Sequence, residues 1–316
     1  MTAPDTPLLD TPQGPGFRQV VWDDHLASHV AGQARGWFIE DLGHECDWTS
    51  ISLIAPDARS ELGVVARKPG VIAGLPAAAV VAGVADPALV LRPLVADGAT
   101  VRPGDTVATL AGPTRSVLTA ERPILNLMGR LSGIATATRR LVEAVAGTPC
   151  RVYDTRKTVP GWRLLDKYAG RVGGGWNHRL GLYDAILIKD NHLAAAAAEG
   201  LSPADAVGRS RRFLEKTFPP TRSAQMVVEV EIDSVDQLPA VLAAGPDVVL
   251  LDNMEPAELA RCVAIRNEMA PGRVLEASGG IRPETVAAIA ATGVDRVSTG
   301  WPTHDAPWLD VALDWR

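Results

Sequence analysis

The sequence is poor in cysteine, in aromatics and in net positive charge. Its three cysteines, Cys46, Cys150 and Cys262, are far apart and form no CxxC pair. That excludes a disulfide-stapled fold and points to a reducing, cytoplasmic setting. No apolar run is long enough to cross a bilayer. The opening stretch, MTAPDTPLLDTPQGPGF, lacks the basic start and apolar segment of a secretory signal. Lys and Arg number 31 against 37 Asp and Glu, a net charge of −6. A broad nucleic-acid or anionic-membrane surface does not fit that balance. No G-x-G-x-x-G opens a βαβ unit, and there is no G-x-S-x-G elbow. Dinucleotide binding and serine hydrolysis therefore lose their usual signals.

What remains suits a globular chain with a substantial core, since 47% of its 316 residues are apolar. Residues 1–17 are polar and proline-rich and read as a loose tail. Residues 18–45 read as helical. From about 50 to 120, short β-prone runs such as ISLIA, ELGVVARKPGVIAGL and TVATLAG predict an antiparallel sheet in an α+β domain. In ERPILNLMGRLSGIATAT, residues Leu125, Met128, Leu131, Ile134 and Ala135 recur at helical spacing. Gly129 is expected to end one helix and Ser132 to cap a second. Beyond Gly147, near-continuous apolar runs alternate with helical stretches: CRVYDT, AILIKDN, MVVEVEI, DVVLLDN, VLEASGG and RVSTG. Strands covered on both faces read this way. Their alternation with helices predicts a β/α barrel, with an open doubly wound sheet as the alternative. Residues 194–218, AAAAAEG onward, read as an exposed helical insertion, a solvated connector.

Polar residues gather where the apolar strands stop. These are Thr155, Arg156 and Lys157; Lys189, Asp190 and Asn191; Glu229 and Glu231; Asp252 and Asn253; Ser278, Gly279 and Gly280; and Ser298, Thr299 and Gly300. In a parallel barrel such ends share one face. The glycine turns ASGG and STG could cradle a phosphate on backbone N–H groups. Glu231 and Asp252 suit Mg²⁺, or else pair with a nearby lysine. Glu229 alternates with Glu231 and is expected to steady Lys157 or Lys189. Arg156, Arg179 and Lys189 at one mouth would repel each other unless an anion lay between them. A lysine at a strand end also leaves a Schiff-base reading open at Lys189.

Several stretches together resemble the quinolinate phosphoribosyltransferases, a type II phosphoribosyltransferase family. They are EDLGHECDWTS, ERPILNLMGRLSGIATAT, DTRKTVPGWRLLDKYAGRVGGGWNHRLGLYDAILIKDNH, VEVEIDS, VVLLDNM, EASGGI and STG. The resemblance implies a two-domain chain: an α/β sandwich over 18–128, rejoined by a C-terminal return over 301–316, and an open, seven-unit β/α barrel over 129–300. It implies transfer of phosphoribosyl from phosphoribosyl pyrophosphate to quinolinate with loss of CO₂, giving nicotinate mononucleotide. Mg²⁺ would be required, held by Glu231 and Asp252. A homodimer with a shared site is also implied, in which Arg122 reaches the neighbour's substrate. By motif, Thr155, Arg156, His178, Arg179 and Lys189 would bind the pyridine dicarboxylate and adjoining phosphates. Lys157 would act near the pyrophosphate, and Glu231 and Asp252 near the ribose. Ser278, Gly279, Gly280 and Gly300 would hold the 5′-phosphate. The chain departs from the family pattern at Val159, where threonine is usual, and at Cys46, where glycine is usual.

Overall fold

The computed structural model describes residues 16–315. In chain order the elements are α1 (Asp24–Leu42), α2 (Trp48–Leu53), β1 (Arg59–Ala66), β2 (Gly70–Val71), α3 (Leu75–Ala85), β3 (Val90–Pro93), β4 (Thr100–Val101), β5 (Thr106–Pro113) and α4 (Thr114–Ala144). Next come β6 (Arg151–Tyr153), α5 (Arg163–Val172), β7 (Ile186–Ile188), α6 (Asp190–Ala197), α7 (Pro203–Thr217), α8 (Pro220–Gln225), β8 (Val228–Ile232) and α9 (Leu238–Ala244). The chain ends with β9 (Val248–Asp252), α10 (Pro256–Met269), β10 (Val274–Ser278), α11 (Val286–Ala290), β11 (Arg296–Ser298), α12 (Trp301–His304) and β12 (Val311–Trp315). Two compact units result. One holds residues 20–140, 158–175 and 301 onward; the other holds 141–157, 176–300 and the stretch before Val20.

The first unit is built on an antiparallel sheet in the order β12-β1-β5-β3. The C-terminal strand β12 pairs with β1 from Leu62↔Trp315 to Ala66↔Val311. Asp23 starts α1 by accepting the Leu26 N–H, which satisfies one of the helix's unpaired donors. The expected break at Gly129 does not occur, and α4 runs unbroken for 31 residues. Its glycines serve close approach instead. A Cβ at Gly133 would come within 2.4 Å of the Pro307 carbonyl oxygen, and Leu309 donates its N–H to Gly129 at 2.9 Å. Gly is costly inside a helix unless a backbone must pass this near. The boundary expected at 128/129 therefore falls inside a helix. Residues 158–175 also belong to this unit, where Arg130 of α4 forks onto the buried Asp166 of α5 at 2.9 and 2.8 Å.

The second unit is a parallel sheet in the order β6-β11-β10-β9-β8-β7, with β6 and β7 as its unjoined edges. It is an α/β architecture of the open-barrel kind, with six strands among the described residues rather than seven. The place of a seventh is taken by an isolated bridge between Tyr153 and Trp176, since the glycine-rich run before Trp176 supplies no longer strand. The stretch read as a solvated connector is a structural crossover. Helix α7 buries Ala206, Val207 and Leu214 and packs on β7, β8 and α9. Parallel neighbours require a connection of this kind. Phe17, the last residue of the expected tail, is 5% exposed and packs with Tyr153, Ala185, Val227 and Val248. Its ring fills the region where β7, β8 and β9 begin. Residues 1–15 of that tail lie outside the described residues.

Candidate active site

The C-terminal ends of the parallel strands are in register. Asp252 lies beside Ser278, Ser278 beside Ser298, and Ser298 beside Tyr153. Thr155, Arg156 and Lys157 thus continue just past the same edge, where the Thr155 hydroxyl accepts the Lys157 N–H at 3.0 Å. Lys189 follows β7 directly, and its Nζ lies 2.7 Å from Glu231 Oε2. Asp252 shares their field. Its pKa is raised, first by burial and then by the charge of Glu231, while Asn253 and Lys189 act in the opposite direction.

Arg179 is buried after α5 and donates from Nη1 to the Ala185 carbonyl at 3.2 Å. Burial lowers its pKa, and the like charge of Arg156 adds to that; Glu229 and Asp184 partly oppose it. A carboxylate ligand suits two guanidiniums in one field, in the bidentate form that arginine favours.

The glycine turn after β10 has a steric reason. Gly279 has φ +92°, and a Cβ there would fall 2.1 Å from Asn253 Oδ1. Asn253 itself has φ 54°, donates its N–H to the Ser278 carbonyl, and donates from Nδ2 to Asp252 Oδ2 at 2.7 Å. This interlock shapes the loops that carry Asp252, Ser278, Gly279 and Gly280. Gly300 follows β11 and is buried. Arg122 lies in the other compact unit, on α4, with an exposed side chain 3.5 Å from Glu121.

Beneath the strand ends is a second set of charges. Glu229 on β8 and Glu276 on β10 are both fully buried. His178 Nε2 stands 3.1 Å from Glu229 Oε2 and 3.5 Å from Glu276 Oε1. Arg296 Nε reaches Glu276 Oε2 at 2.5 Å. Burial pushes the His178 pKa down, but Glu229 and Glu276 outweigh it and raise it. The Arg179 backbone N–H points at Nδ1 at 2.8 Å, and Nε2 faces the carboxylates. Both ring nitrogens of His178 are thus engaged within the protein. Glu229 faces His178 and Arg296 rather than the expected Lys157 or Lys189.

Two acidic sets could be read as metal centres. His178, Glu229 and Glu276 offer ligand atoms within 4.8 Å of one another, but the two carboxylates already pair with Arg296 and His178. Glu231 and Asp252 fit a hard cation better. They are oxygen donors at the strand ends, and the pKa of Asp252 is raised by burial first and by the charge of Glu231 second, both of which a cation there would offset. The Schiff-base reading of Lys189 finds no support, because its side chain is 45% exposed and paired with Glu231 rather than desolvated in an apolar pocket.

Sequence reasoning passed over Glu276 and Arg296, although charged residues inside the apolar runs VLEAS and RVS were a usable signal. It also passed over Asp154. Its Oδ1 accepts the His178 N–H at 2.8 Å, and its Oδ2 accepts from Asn177 Nδ2 at 2.7 Å. Nothing in the local sequence marks that role.

Comparison with known proteins agrees with this fold. Residues 134–314 match the family described as quinolinate phosphoribosyl transferase, C-terminal domain, and residues 47–132 match its N-terminal domain. The chain is 42% identical over 279 residues to a nicotinate-nucleotide pyrophosphorylase [carboxylating] of Mycobacterium leprae, covering 87% of this chain and 93% of that one. It is 39% identical over 277 residues to a probable enzyme of the same name from Synechocystis, covering 88% and 89%. Among solved structures, the nicotinate-nucleotide pyrophosphorylase from Francisella tularensis superposes with a TM-score of 0.85 at 34% identity, covering 95% of this chain and 100% of that one.

Proposed function

The chain belongs to the quinolinate phosphoribosyl transferase family, and from that premise we propose that it joins quinolinate to phosphoribosyl pyrophosphate. The products are nicotinate mononucleotide, pyrophosphate and CO₂, a step in NAD formation. The observation that carries this reading is that Arg156, Lys157, Lys189, Glu231 and Asp252 gather at the in-register strand ends of one parallel sheet, in the unit that also holds Arg179. A doubly charged pyridine beside a sugar pyrophosphate would neutralise such a set.

The chemistry asks mainly for positioning. Arg156 and Arg179 grip the two carboxylates, and Lys189 adds a third cation. The pyridine nitrogen is already nucleophilic and attacks the ribose carbon as pyrophosphate leaves. Lys157 stabilises the charge that develops on the departing group. The Ser278-Gly279-Gly280 turn and Gly300 hold the 5′-phosphate. Once ribosylated, the ring is cationic and stabilises the electron pair left on its carbon when the adjacent carboxylate departs as CO₂; that carbon then takes up a proton from solvent. Glu231 and Asp252 would hold Mg²⁺, whose chemistry is to neutralise pyrophosphate oxygens.

The reading extends to a homodimer in which Arg122 of a second copy completes the dicarboxylate site. The exposure of Arg122 and its place outside the barrel unit support that. A cytoplasmic setting is supported by the free thiols of Cys46, Cys150 and Cys262. None of the described helices is long and apolar enough to cross a membrane.

The test is an assay with quinolinate and phosphoribosyl pyrophosphate in which CO₂ and pyrophosphate are measured together. Equal, Mg²⁺-dependent release of both is expected; release of neither overturns the reading. Arg122→Ala and Arg179→Ala should each be inactive, and mixing them should restore part of the activity through hybrid dimers. If hybrids form and activity stays absent, the shared site is wrong.

A further inference from the structure

The segment Phe17–Gln19 precedes both family-matched spans, yet its side chains reach the backbone that presents Arg179. The Phe17 ring stacks on His178 with centroids 4.2 Å apart and planes 27° from parallel. Arg296 lies over the other aromatic contacts, with Cζ 5.0 Å from the Phe17 centroid and 4.5 Å from that of Tyr153. Gln19 makes a two-way clasp with Asn177. Its Oε1 accepts the Asn177 N–H at 2.8 Å, and its Nε2 donates to the Asn177 carbonyl at 3.1 Å. Asp154 holds Asn177 and His178 from the other side, and Nδ1 of His178 accepts the Arg179 N–H. Three successive residues, 177 to 179, are thereby fixed by contacts from distant parts of the chain.

We propose that Phe17 and Gln19 are positioning residues for the anion-binding arginines. Neither touches a reacting atom. Gln19 fixes the Asn177 peptide, Phe17 fixes the plane of the His178 ring, and the ring in turn fixes the Arg179 amide. Asp154, two residues before Arg156, ties that strand end to the same clamp. Arg179 is therefore set for a planar carboxylate before ligand arrives, and guanidinium–carboxylate pairing depends on such orientation. The inference rests on the proposed function in taking the ligand of Arg179 to be the pyridine dicarboxylate.

The experiment compares the full chain with Gln19→Ala, Phe17→Leu and Phe17→Tyr. Kinetics in both substrates are measured alongside amide hydrogen exchange and thermal melting. Gln19→Ala should raise KM for quinolinate about tenfold, as expected for two lost hydrogen bonds. KM for phosphoribosyl pyrophosphate and kcat should stay within about twofold. Phe17→Leu should act in the same direction, and Phe17→Tyr, which keeps the stacked ring, should restore wild-type values. Independently of turnover, exchange at residues 177–180 should quicken about tenfold in Gln19→Ala, while strands β8 to β10 are unchanged. Unchanged exchange at 177–180 overturns the proposal, as does equal loosening across the whole sheet. If the wild type turns over other substrates but the exchange result holds, the function reading fails and the clamp stands.

Discussion

Glu229 and Glu231 sit two residues apart on one strand and point to the same face, about 7 Å apart along it. Glu229 is fully buried and faces His178 and Arg296, both also buried. Glu231 pairs with Lys189, whose side chain is 45% exposed, and stands in the field of Asp252. One storey of the barrel has its charges compensated internally and fixes shape. The other lies at the strand ends, where Lys189 is half-exposed beside Glu231 and open to a ligand. Residue type does not separate the two; depth and partners do.

The sharpest way to break the comparison is to cut the lower storey. Glu276→Ala leaves Arg296 buried without its main counterion. It should destabilise the fold by about 3–5 kcal/mol, read as a shift of the denaturant midpoint. An unchanged midpoint would mean that the buried charges do not fix the fold.

The same storey has a pH signature. Burial pushes the Glu276 pKa up, but Arg296 first and then His178 outweigh it and hold it lowered. A glutamate lowered in the folded state contributes stability above its ordinary value of about 4.5, lost as pH falls through the lowered one. Stability should therefore drop steeply in acid below about 4.5, and Glu276→Gln should flatten that limb.

Lys189→Met removes an ion pair of similar length from the upper storey. Folding stability should change by no more than about 1 kcal/mol, because the pair is partly solvated. Turnover should fall at least tenfold, by rough analogy with a lost charge-assisted contact. A large stability loss with activity retained would reverse the roles given to the two storeys. Gly279→Ala should cost folding somewhat more than Lys189→Met, about 1–2 kcal/mol, since its φ of +92° strains any side chain. Its clearer mark should be a raised KM for phosphoribosyl pyrophosphate, because the Asn253 interlock must shift.

Much of this was legible beforehand. The strands of the parallel sheet announced themselves because strands covered on both faces are apolar throughout. The residues at their C-terminal ends followed from the topology that such strands must adopt. Gly129 misled because a glycine in a helical pattern signals a stop or a close crossing equally well, and here the Pro307–Leu309 backbone decides. The stretch 194–218 read as solvent-facing because its buried residues, Ala206, Val207 and Leu214, are few among many polar and charged ones. Phe17 was invisible for a related reason. One aromatic in a polar segment has no periodicity, and its partners lie more than a hundred residues away.

The sequence by itself determined the alternation of strand and helix, the cations and carboxylates at the strand ends, and through their motifs the family. Those are local properties, fixed by apolar patterning and turn chemistry. Tertiary structure alone decided which charges face a ligand and which face each other, and gave the N-terminal segment its grip on Arg179. Burial and pairing arise from contacts between residues far apart in the chain, and no local pattern records them.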